Sequence, residues 1–135
     1  MKRIGITGGI GAGKSLVAEI IKAMGYPVYN SDERAKELTD SNPKIKEGLI
    51  LLFGEEIYQN DTLNKFALAQ AIFSDESLRE KVNALIHPIV REDFNLWALA
   101  QNNSLVFNES AILFETGSFK NFDAIILVYA PAELR

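Results

Sequence analysis

The chain has 135 residues, a length that suits one domain, and its 47% apolar and 24% charged residues are ordinary globular proportions. A formal net charge of −4, with no long Lys/Arg run, argues against a nucleic-acid partner. The absence of cysteine excludes disulfides and Cys-ligated zinc, and no apolar run approaches the ~18 residues of a membrane span, so a cytoplasmic protein with no membrane partner is expected.

Lys2 and Arg3 could open a secretory leader, but glycines and then Lys14 interrupt the apolar run too soon, and none is expected. Ile4 and Ile6 belong to a short apolar strand that runs straight into Gly8. Past Ser15, residues Leu16, Val17, Ile20, Ile21 and Met24 fall at helical spacing, and Gly25 and Pro27 stop that helix. Residues 27–29 read as a second strand. Ser31 is placed to cap a helix over 32–38, where Asp32 and Glu33 suit the positive end of the dipole. Helices are expected over 44–53 and 63–73, with a loop around Gly54 and Asn60-Asp61 between them. Ser74 or Asp75 could cap a longer helix with Leu78, Val82, Leu85, Ile86, Ile89, Val90, Phe94 and Trp97 on one broad face. Pro88 should kink that helix, and Asn102-Asn103 ends it. Residues 105–107 and 124–129 are short apolar runs, and 131–135 look like the first turn of a further helix. Short, almost wholly apolar strands separated by helices indicate a parallel sheet covered on both faces.

Gly8-Gly9-Ile10-Gly11-Ala12-Gly13-Lys14-Ser15 matches the P-loop pattern G-x-x-x-x-G-K-[ST] without deviation. Glycines let backbone N–H groups turn inward around phosphates, and the helix starting near Gly13 aims its free N–H groups at the anion. Lys14 then reaches the β and γ phosphates, while the Ser15 hydroxyl ligates Mg²⁺. The expected nucleotide site is Gly8, Gly9, Ile10, Gly11, Ala12, Gly13, Lys14, Ser15 and Leu16, with ATP and Mg²⁺ as the bound groups. A chance match has odds of about half a percent over such a chain. The motif also lies between a strand and an amphipathic helix, which an incidental glycine-rich turn does not explain.

A regulatory GTPase would show N-K-x-D and D-x-x-G. Here Asn64-Lys65-Phe66-Ala67 lacks the aspartate, and no D-x-x-G occurs. Small-substrate kinases place an acidic residue after the second strand, facing the γ-phosphate, and Asp32 stands there. Locally its carboxylate fits helix-end duty equally well, worth roughly 0.3–1 kcal/mol. Its place one strand–helix–strand step behind the P-loop favours the nucleotide. Glu109, at the tip of the 105–107 strand, fits a Walker-B carboxylate serving Mg²⁺ directly or through water, although a lone strand-end carboxylate is more often solvated. Glu115 competes with it. His87, the only histidine, is either a half-buried packing residue or a substrate contact, and spacing leaves both open.

Together these residues resemble the dephospho-coenzyme A kinase family, from Lys2 to the end of the chain. The opening Ile4-Gly5-Ile6-Thr7-Gly8-Gly9-Ile10-Gly11-Ala12-Gly13-Lys14-Ser15 is similar to that family's G-L-T-G-G-I-G-S-G-K-S. Asn30-Ser31-Asp32 sits where the family has D-A-D and keeps its final aspartate. Ala71-Ile72-Phe73-Ser74-Asp75 resembles V-F-S-D, Leu85-Ile86-His87-Pro88-Ile89-Val90 resembles I-x-H-P-x-V, and Ala111-Ile112-Leu113-Phe114-Glu115 resembles P-L-L-F-E. The His-Pro and L-L-F-E elements are unusual among P-loop kinases and identify the family better than the P-loop does. Asn30 replaces the first aspartate of D-A-D, Ala111 replaces a proline, and Glu109 stands where aspartate is usual.

The resemblance implies an α/β fold of P-loop NTPase type, three-layer α/β/α with a parallel sheet, as one domain over 1–135. A helical insertion at about 44–101 would bind the acceptor, with His87 and Pro88 among the substrate contacts. The implied activity is ATP-dependent phosphorylation of the ribose 3′-hydroxyl of dephospho-coenzyme A, the last step of coenzyme A synthesis. Asp32 and Lys14 would be catalytic, and Ser15 and Glu109 would serve the metal. Family members continue into a lid helix with arginines and an adenine-binding loop, so C-terminal truncation and poor turnover by these residues alone are expected. The alternatives are another small-molecule P-loop kinase, acting on a sugar, shikimate or a nucleoside, and a non-catalytic nucleotide-binding fragment.

Overall fold

The computed structural model describes residues 1–8, 13–111, 120 and 122–129. The expected roles of Gly9, Ile10, Gly11, Ala12 and Glu115, and the helical turn at 131–135, lie outside the described residues. The chain divides into two compact units, Met1–Asp32 with Phe94–Arg135, and Glu33–Asp93. Among the described residues, no helix is long and apolar enough to cross a membrane.

In the first unit, strands β1 (Lys2–Gly8), β2 (Val28–Asn30), β5 (Leu105–Glu109) and β6 (Ala124–Val128) form one sheet in the order β2-β5-β1-β6. Every pairing in it is parallel, as expected for apolar strands joined through helices. Alternation along the strands sorts side chains onto two faces. Ile4, Ile6, Val28, Leu105, Phe107 and Val128 form a cluster with Val17 and Ile21 of α1 (Lys14–Ala23). On the opposite face Tyr29 packs against Phe94 and Trp97, with ring centroids 5.2 and 5.4 Å apart. Those two residues lie on the last part of α5 (Glu76–Ala100). Helix–sheet–helix layering follows, the α/β/α arrangement expected of a P-loop NTPase. The stripe expected on α1 splits in two, because Val17, Ala18 and Ile21 meet the sheet while Leu16, Ile20 and Met24 are exposed.

Two expected boundaries in this unit shift for a visible reason. Ser31 is the first residue of α2 (Ser31–Ser41) rather than its cap. Its hydroxyl donates to Asn108 Oδ1 at 2.6 Å and so does not serve the helix's own N–H groups. β2 correspondingly ends one residue later than expected, at Asn30.

The second unit is mostly helical. Its α3 (Pro43–Phe53) is capped by the Asn42 side chain, which accepts from the N–H groups of Lys44 and Ile45 at 3.0 and 3.1 Å. Ile45 and Leu49 are fully buried on that helix. The expected helix over 63–73 starts later, as α4 (Lys65–Phe73). Leu63 instead pairs with Tyr58 in a hairpin of β3 (Tyr58–Gln59) and β4 (Thr62–Leu63). Asn60 and Asp61 make its turn at φ 53° and 63°, the left-handed geometry of a two-residue hairpin loop. Asn64 then caps α4 through Ala67 N–H at 3.0 Å. Asp75, of the two candidates, caps α5 by accepting from Leu78 N–H at 3.1 Å. Pro88 lies inside α5, which runs on to Ala100. Arg34 grips both carboxylate oxygens of Asp93 at 2.8 and 3.2 Å, fastening α2 to α5.

Gly8 closes β1 where β6 lies alongside. A Cβ there would stand 2.6 Å from the Val128 carbonyl oxygen, a backbone atom held in the β1–β6 ladder. Such overpacking costs about 1–3 kcal/mol. Gly8→Ala should therefore lose that much stability in urea unfolding followed by the fluorescence of the single Trp97, and a loss below about 0.5 kcal/mol would show that β6 can give way.

Candidate functional site

The sheet brings three carboxyl ends together. The pairing register sets Ile6 opposite Glu109 and Glu109 opposite Asn30, so the ends of β1, β5 and β2 lie side by side. Ligands in open α/β sheets bind outside such ends, at the point where the strand order reverses. Here the chain leaves β1 towards β2 on one side, and β6 lies on the other.

Gly13 precedes α1 at φ 89°, a left-handed conformation that side chains rarely adopt. A Cβ there would meet nothing within 4 Å, so the demand for glycine is conformational, unlike the crowding at Gly8. Among the described residues no side chain caps α1, and its first turn holds no acidic residue. Among those residues its leading N–H groups have no side-chain acceptor, and the positive end of a helix dipole favours an anion. Lys14 and Ser15 are the first two residues of that turn, and Leu16 follows as an exposed residue.

Around them stand two carboxylates. Lys14 Nζ lies 3.9 Å from Asp32 Oδ2, and the same oxygen accepts from Ala111 N–H at 3.3 Å. Glu109 is 5% exposed and accepts from the Ser15 hydroxyl through Oε1 and from Asn30 Nδ2 through Oε2, both at 3.3 Å. A carboxylate this buried needs such donors, because an unpaired buried charge costs several kcal/mol. The structure thus assembles Lys14, Ser15, Asp32 and Glu109, four of the residues expected from the sequence, at the opening of α1.

The contacts of Asn30, Ser31 and Asn108 at the site are not legible in the sequence. Three consecutive residues, Asn30, Ser31 and Asp32, use their side chains to hydrogen-bond the end of β5 and its exit, at Glu109, Asn108 and Ala111. The only sequence signal was the polar ending of an otherwise apolar β5.

His87 and Pro88 belong to the second unit, on α5. His87 is half-buried, and burial, seconded by the Arg91 charge, lowers its pKa below the ordinary 6.5. The unfolded chain therefore takes up the proton first as pH falls, so this contribution to stability is present above about pH 6.5 and is lost below it. The unfolding free energy from urea titrations should drop between about pH 7.5 and about pH 5.5, and His87→Gln should flatten that drop. An unchanged slope in the variant would show that other groups produce it.

A family profile described as dephospho-CoA kinase matches residues 2–135. A dephospho-CoA kinase of Porphyromonas gingivalis is 47% identical over 135 residues, covering 100% of this chain and 67% of that protein. One from Bacteroides fragilis is 44% identical over 134 residues, covering 98% of this chain and 65% of that protein. The chain thus spans about two thirds of the length of the curated relatives it matches. The crystal structure of TT1252 from Thermus thermophilus superposes with a TM-score of 0.86 at 36% identity, covering 98% of this chain and 68% of that one. Dephospho-CoA kinase from Campylobacter jejuni shares the fold, with a TM-score of 0.75 at 23% identity. By profile, by sequence and by fold, the chain belongs to the dephospho-CoA kinase family.

Proposed function

We propose that the protein transfers the γ-phosphoryl group of ATP to the ribose 3′-hydroxyl of dephospho-coenzyme A, the last step of coenzyme A synthesis. The observation that carries this reading is the placing of Lys14 Nζ 3.9 Å from Asp32 Oδ2 at the open N-terminus of α1. A phosphate ligand and a candidate base then share the few ångströms across which a phosphoryl group must pass.

Lys14 is paired with Asp32, whose side chain is 44% exposed. An ion pair at such exposure is worth about 0–1 kcal/mol, so triphosphate oxygens can displace it readily. Lys14 then turns to the β and γ phosphates, and Asp32 is left to orient the acceptor hydroxyl and take its proton. In this scheme the α1 amides and Lys14 offset charge that spreads over the γ-phosphoryl oxygens.

Ser15 and Glu109 offer hard oxygen donors of the kind magnesium takes, directly or through water. Among the described residues no group of three or more acidic, His or Cys side chains could hold a metal. That suits an ion whose other ligands are waters and phosphate oxygens rather than a protein cage. Bound there, magnesium would supply charge compensation to the phosphates. The helices at about 44–101 are assigned to acceptor binding, with His87 and Pro88 as substrate contacts, on the strength of the matching His-Pro element.

Two measurements test the proposal. In the full-length protein Asp32→Asn should lower kcat by about 10²–10⁴ while ATP still binds, and retained turnover would remove Asp32 from its role. An acceptor panel of dephospho-coenzyme A, shikimate, a sugar and a nucleoside, run on the full-length protein, should give ADP only with the first. Product from another acceptor, and none from dephospho-coenzyme A, would overturn the substrate assignment.

A further inference from the structure

We propose that Asn30 is a positioning residue for the metal-serving carboxylate. Its amide holds Glu109 Oε2 so that Oε1 faces the Ser15 hydroxyl. The inference rests on the reading that Glu109 serves the magnesium of bound ATP, and goes beyond it.

A carboxylate at the end of a glutamate chain has three rotatable bonds, and freezing them costs up to about 2 kcal/mol. Glu109 needs that restraint most, because its longer chain has more orientations open to it than an aspartate would. The backbone supplies part of the fix: β5 pairs with β2 in a register that sets Asn30 directly opposite Glu109, so their side chains leave neighbouring strand ends together. The Asn30 side chain supplies the rest. It donates from Nδ2 to Glu109 Oε2 at 3.3 Å, while Oε1 accepts from the Ser15 hydroxyl, also at 3.3 Å. The two donors use different oxygens, so the carboxylate plane is set by two points. The partner is also neutral. An amide can present a donor to the buried carboxylate without adding a second negative charge beside it. Asn30 is itself held at the junction, since the next residue, Ser31, donates to Asn108 Oδ1 at 2.6 Å. An outer partner of this kind acts on the metal only through the ligand it orients.

The test measures ATP affinity of the chain by calorimetry with Mg²⁺ and again with EDTA, and the ratio of the two is the contribution of the metal. Asn30→Ala, and Asn30→Leu of nearly native volume, should each cut that ratio by about 10-fold, the lower end of the range for outer partners of a metal ligand. Both should leave the EDTA affinity within about twofold, a split that general loosening of the fold would not give. In a Glu109→Ala background the same substitutions should change the ratio by less than about twofold. The inference is overturned if both Asn30 variants keep the native ratio, if they weaken ATP equally in EDTA, or if their effect persists without Glu109. If Glu109→Ala alone keeps the native ratio, the metal-serving reading of Glu109 fails and this inference falls with it. If Glu109→Ala loses the ratio and the Asn30 variants do not, only the role of Asn30 is wrong.

Discussion

Parallel pairing fixes where chemistry can happen in this protein. β5 lies between β1 and β2, and the two ladders set Ile6, Glu109 and Asn30 in one row. A slip of one residue in the β1–β5 ladder would turn Glu109 to the other face of the sheet and take its carboxylate from Ser15, and a slip in the β2–β5 ladder would take Asn30 from Glu109. The sheet is strongly held because it is covered on both faces, by Val17 and Ile21 on one side and by the Tyr29–Phe94–Trp97 cluster on the other. Core packing therefore sets the register, and the register sets the site. The site itself contributes little to stability: its ion pair is partly exposed and 3.9 Å long, and its hydrogen bonds to Glu109 are long.

The two acidic residues sit in different environments, which suits different tasks. Glu109 is buried and doubly hydrogen-bonded, with little freedom. Asp32 is partly exposed, the second residue of a helix, and among the described residues is tied to a backbone N–H and a distant ammonium. A group that meets an incoming substrate must be reachable, and one that holds a metal in place must be stiff. Lys14 stands between an anion-ready helix end and Asp32, so its charge is available to whichever anion arrives with the larger field. A triphosphate with its several negative oxygens outcompetes a single carboxylate.

Much of this was legible in the sequence, and the parts that were not share a cause. The P-loop, the strand-ending carboxylates and the strand–helix alternation are local patterns, and Lys14, Ser15, Asp32 and Glu109 do meet. The family resemblance added the His-Pro element, which no physical reading of spacing could have interpreted. Ser31 looked like a cap because serine before two acidic residues usually is one. Its hydroxyl went to Asn108, a partner 77 positions away, and only the fold could reveal that. The helix expected from residue 63 began at Lys65 because Leu63 was claimed by a hairpin, and Asn60-Asp61 is a weaker hairpin signal than a turn ending in glycine. The α1 stripe was read too wide, since helical spacing alone does not say which apolar residues the sheet will cover.

The central claim is that phosphate oxygens sit at the start of α1, among Gly13, Lys14 and Ser15, with Glu109 beside them. Titrating isotope-labelled protein with ATP and Mg²⁺ while following backbone amide resonances tests it most directly. The amides of Gly13, Lys14 and Ser15 should move the most and saturate with one common Kd, and Lys14→Ala should abolish the shifts. Amide shifts elsewhere with that turn unmoved, or full affinity retained without the lysine, would contradict the account.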